Sequence, residues 1–120
     1  MADIKILDTE LEIDMFDANT AEKAEKVLEK TKKAIDEIEK KQKEMKFSEY
    51  IRETCHVTFE CFNGIFGEGT DRKIFGNKCN LLDCGEAMLQ LEKGLATSQQ
   101  KKADERFKPY LPNRQTRRAK

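Results

Sequence analysis

DIKILDTELEIDMF, residues 3–16, alternates apolar and polar positions in steps of two. Ile4 and Ile6, then Leu11, Ile13 and Met15, fall on one side, while Lys5, Glu10, Glu12 and Asp14 fall on the other. A period of two marks a half-buried strand, and its interruption near Asp8-Thr9 predicts a β-hairpin turning there. A two-stranded ribbon is marginal alone, so its apolar face must lie on helices or on a neighbouring subunit. This stretch therefore predicts an α+β fold instead of a plain helical bundle.

The helices follow at once. Asn19-Thr20-Ala21-Glu22 has the form of an N-cap with an acidic residue three positions on. From Ala24 through Val27, Leu28, Thr31, Ile35, Ile38, Gln42 and Met45, core positions recur every three or four residues. Ser48 can cap a second helix, SEYIRETCHVTFECFNGIF (48–66), whose aromatic face predicts the centre of the core. Gly67 and Gly69 end it. Thr70 or Asp71 then caps a short turn through Ile74 and Phe75. A third long helix is predicted from Asn80 to about Phe107, with Leu81, Cys84, Met88, Leu91 and Leu95 in its seam. Pro109 and Pro112 oppose further helix, so 108–120 reads as a flexible basic tail. The expected architecture is one domain, 1–107, with a β-hairpin followed by a mainly helical three-helix bundle.

Charge is unevenly stored. The whole chain has no formal net charge, yet residues 1–107 hold 18 basic residues against 23 acidic, and the last thirteen hold five basic and none acidic. Such a dipolar chain is expected to meet a partner or a copy of itself, and a homo-oligomer is the expectation. No basic start with an apolar run opens the sequence and no segment nears the ~20 apolar residues that span a bilayer, so a cytoplasmic protein without membrane contact is expected.

Chemistry-bearing clusters are sparse. Cys55 and Cys61 are six apart and Cys79 and Cys84 five apart, unlike the tight knuckles of structural zinc sites, so buried apolar thiols are expected and no metal. His56, the sole histidine, neighbours Cys55, and adjacent helical residues point about 100° apart, so the two are not expected to form a nucleophile and base. Neither an enzyme nor a cofactor is expected. In the tail, Arg114, Arg117 and Arg118 beside Tyr110 could bind phosphates or carboxylates. A negative body disfavours a polyanion, so nucleic acid is the secondary reading for them.

Taken together, DMFDANTAEKAEK (14–26), FNGIFGEGTDRKIFGNKCNLL (62–82) and PNRQTRRAK (112–120) resemble a family of short prophage proteins of Gram-positive bacteria. The similarity runs from about Glu12 to Lys120. Proteins of this kind resemble phage tail assembly chaperones, which coat the tape measure protein and recruit tail tube subunits. The resemblance implies a non-enzymatic role in tail morphogenesis in the bacterial cytoplasm, with tape measure or tail tube protein as partner. It implies a binding groove between the first and third long helices, with Ile35, Ile38, Met88, Leu91 and Leu95 as contacts, although the same five suit the core of a monomer. A small nucleic-acid-binding or regulatory phage protein, and an inhibitor of a host defence protein, are the alternatives.

Overall fold

In a computed structural model that describes residues 3–110, strands β1 (Ile4–Ile6) and β2 (Thr9–Leu11) form the expected antiparallel hairpin. Ile4 pairs with Leu11 and Ile6 with Thr9, so Ile4, Ile6 and Leu11 share a face, and Ile13 continues it. All four are buried. The turn is centred one residue early, on Leu7-Asp8, and Leu7 adopts a left-handed φ of 53°. Its amide donates to Gln90 Oε1 at 2.6 Å, which anchors the strained turn on the third long helix.

Among the described residues four helices follow, α1 (Ala18–Lys41), α2 (Phe47–Phe66), α3 (Thr70–Phe75) and α4 (Leu81–Phe107). The expected three-helix bundle is thus three long helices plus one short one. Asp17, not Asn19, caps α1: its carboxylate accepts from the Thr20 amide at 3.0 Å and from the Thr20 hydroxyl at 2.9 Å. These bonds favour the charged carboxylate and hold its pKa below the ordinary value. α1 also stops at Lys41 and gives way to a 3-10 turn over Gln42–Glu44, so Met45 lies beyond it. α2 begins one residue before Ser48 with no side-chain cap. Gly67 (φ 113°) and Gly69 (φ 90°) turn the chain into α3 as their conformational freedom predicts. Asn80 caps α4 by accepting from the Asp83 amide at 3.0 Å.

Packing joins these elements in two ways. α1 runs along α2, and at Gly64 the helices close until a β-carbon there would sit 3.1 Å from Val27 Cγ2. Thr31 is tolerated in the α1 seam because its hydroxyl donates to the Val27 carbonyl at 2.8 Å. α4 packs on β1 and on α2, while Phe59, Phe62 and Phe75 join α2 to α3 with ring centroids 5.0–5.9 Å apart. Phe62, fully buried, lies at the centre of the core.

The result is a rod of about 60 × 29 × 26 Å, with a radius of gyration of 17.8 Å. A compact domain of this length would have a radius near 13 Å, so the long helices leave much of their length on the surface. No described helix is long and apolar enough to cross a membrane.

Candidate functional site: a partner-binding groove

The five residues expected to line one groove occupy different places. Leu91 and Leu95 are buried in the core and Met88 packs half-buried against it. Ile38 is buried and Ile35 half-buried on α1, the helix that pairs with α2. The physical reason is connectivity: α1 spends its apolar stripe on α2, and α4 spends its own on the hairpin and α2. Arg114, Arg117 and Arg118 lie outside the described residues.

An open groove exists elsewhere, between the segment that leads from β2 into α1 and the last turns of α4. Lys102 builds it. Its ammonium donates to the Ile13 carbonyl at 2.6 Å and lies 3.1 Å from Asp3 Oδ2, and that same oxygen accepts the Ile13 amide at 2.7 Å. Burial pushes the Asp3 carboxyl up, but the Ile13 amide and the Lys102 charge outweigh it and leave its pKa lowered. This clamp ties the end of the hairpin to α4. Beyond it the chain turns, with the Phe16 amide donating to Asp14 Oδ1 at 3.1 Å, and Phe16 is left facing the solvent side of the groove.

Phe16 on one wall faces Ala103, Arg106 and Phe107 on the other, across about 630 Å³. Phe16 and Phe107 are 59% and 54% exposed, large apolar surfaces that the fold leaves uncovered. Asp14, Glu105 and Arg106 supply both signs of charge around them. Aromatic surface bordered by mixed charge can receive an amphipathic helix or strand, with apolar anchors between the phenyl rings and charged groups at the rim. The sequence signal for this wall is Phe107, the one aromatic residue in an otherwise polar half of α4. α4 ends there, and Lys108–Tyr110 continues as a 3-10 turn.

The cysteines follow the expected pattern except for one. Cys55, Cys61 and Cys84 are buried, whereas Cys79 is exposed because it lies in the linker before α4, with its Sγ 4.0 Å from the Ile51 carbonyl. Burial, then hydrogen bonds with Cys84 and Cys79, push the Cys55 thiol well above the ordinary range, and burial also raises Cys84. Burial raises Cys61 too, partly offset by the Thr31 hydroxyl. His56 faces solvent, 3.5 Å from Glu60 one turn along α2. Among the described residues no three Cys, His, Asp or Glu side chains gather as metal ligands.

Residues 7–120 match the model of a family of unknown function, DUF6673. The chain belongs to that family. The matched span includes the residues that line the groove and the basic segment to Lys120. No curated protein and no solved structure matches the chain significantly.

Proposed function

We propose that this DUF6673 protein is a non-catalytic assembly factor of phage morphogenesis, a tail assembly chaperone that holds an amphipathic segment of the tape measure or tail tube protein. The observation that supports it is the groove between Phe16 and Phe107 on a long, charged rod. A tape measure is a long helical protein that aggregates when unpartnered, and a helix laid in an aromatic groove shields its apolar stripe. The resemblance of DMFDANTAEKAEK, FNGIFGEGTDRKIFGNKCNLL and PNRQTRRAK to prophage proteins supports the setting. The basic segment that follows Phe107 in the sequence adds arginines that can pair with carboxylates on the same partner.

Co-expression with the tape measure and tail tube proteins encoded in the same genome tests the reading. The expected result is a soluble complex that purifies intact with one of them. Failure to associate with any tail protein overturns it, as does a salt-sensitive nucleic-acid mobility shift that is lost on deleting residues 108–120.

A further inference from the structure

Glycine inside a helix costs about 1 kcal/mol relative to alanine, so each one in a long helix needs a reason. Gly64 admits Val27 and Gly94 admits Ile4, whose side chains would lie 3.1 Å and 2.9 Å from an added β-carbon. Gly85 in α4 has nothing within 4 Å of that position. Among the described residues none fills the space above it.

The residues around Gly85 are unusual for a solvent face. Leu82 is 82% exposed and Leu89 63%, on the side of α4 opposite the buried Cys84, Ala87, Leu91 and Leu95. Seven residues return a helix to within about 20° of the same direction, so Leu82, Leu89 and the exposed Ala96 form one row. Glu86 and Lys93, also seven apart, flank the row on one side, and Gly85 and Glu92 flank it on the other.

We propose that this face of α4 is the dimer interface of the protein, packed antiparallel on α4 of a second copy with Leu89 near the two-fold axis. Charge complementarity selects the occupant and the direction. In an antiparallel pair the same flank of each helix meets itself, so Glu86 faces the partner's Lys93 and Lys93 faces the partner's Glu86. A parallel pair in register would instead set Lys93 beside Glu92 of the other copy and Glu86 beside its Gly85, so only the antiparallel pair engages both charges of this flank. Gly85 gives the partner's leucine room to approach the backbone, as Gly94 does for Ile4. The paired stretch, Leu82 to Ala96, is about 22 Å long, which makes a small interface and a reversible dimer. The pairing stands apart from the groove and from the identity of the tail partner.

Sedimentation velocity of the full chain over a concentration series tests it, with circular dichroism confirming that each variant folds. Wild-type protein should pass reversibly from monomer to dimer, and Leu89→Glu, at an exposed position, should remain monomeric. Glu86→Lys and Lys93→Glu should each weaken the dimer by about tenfold, and the double reversal should restore it. A wild-type monomer at all concentrations, or a dimer that Leu89→Glu leaves intact, overturns the proposal. Single reversals that weaken the dimer without rescue by the double variant overturn the antiparallel arrangement.

Discussion

Ile4 lies directly over Gly94, so close that a β-carbon on the glycine would meet Ile4 Cδ1 at 2.9 Å and its Cβ at 3.3 Å. The hairpin is therefore seated on the backbone of α4, and the contact joins residues ninety positions apart. Gly94→Ala gains helix propensity of about 1 kcal/mol, but displacing Ile4 costs roughly 1–3 kcal/mol. The expected outcome is a net loss of about 1 kcal/mol in urea unfolding. Gly85→Ala, with open space above it, should instead gain about 1 kcal/mol in dilute solution. Equal stabilisation by both would mean that β1 does not rest on α4.

The Asp3 clamp predicts an acid-sensitive increment of stability. Its carboxyl is depressed in the folded chain relative to the ordinary value, because the Ile13 amide and Lys102 outweigh burial. A depressed folded pKa contributes stability that is complete above the unfolded value, about 3.9, and is lost as pH falls through the folded one. Wild-type protein should therefore lose more stability between about pH 5 and pH 2 than Asp3→Asn does. At neutral pH the variant should be less stable by about 1–2 kcal/mol, the net worth of a charged hydrogen bond. Parallel acid melting curves for the two proteins would refute this account.

Thiol accessibility checks the placement of α4 against α2. Cys79 should react with a disulfide reagent in the native protein, while Cys55, Cys61 and Cys84 should react only on unfolding. Burial both blocks the reagent and disfavours the thiolate of those three. Fast titration of two or more thiols under native conditions would contradict the packing of Cys84 beside Cys55 and Thr58.

Periodicity made the elements legible and left their neighbours hidden. The alternation of Ile4, Ile6, Leu11 and Ile13 predicts a hairpin with a buried face, and Asn80 marks the start of α4, both as observed. A repeat of three and four names Leu91, Leu95 and Ile38 as inward-facing, yet says nothing of what they face. α1 turns out to pair with α2, and α4 with β1 and α2, so those five residues divide between two packing surfaces. The pairings depend on contacts such as Ile4 with Gly94 and Lys102 with Ile13, ninety and eighty-nine residues apart, which no local pattern encodes. Asp17 displaced Asn19 as the α1 cap for a chemical reason: a carboxylate accepts both the amide and the hydroxyl of Thr20. Phe16 and Phe107 stand outside these stripes: Phe16 lies in the connection between β2 and α1, and Phe107 is the last residue of α4.

Those two phenylalanines give the sharpest separation of binding from folding. Phe16 and Phe107 are more than half exposed, so Phe16→Ser with Phe107→Ser removes little buried area and should change stability by less than about 1 kcal/mol. Aromatic anchors at the centre of an interface commonly carry 2 kcal/mol or more each, so the same double variant should lose the tail-protein complex by at least about a hundredfold in affinity. Leu91→Ala gives the opposite profile, since Leu91 is fully buried and its truncation should cost about 2–5 kcal/mol of folding stability. Retention of the complex by the Phe16 and Phe107 variant, measured by pull-down beside its unfolding curve, would remove the groove from the binding surface.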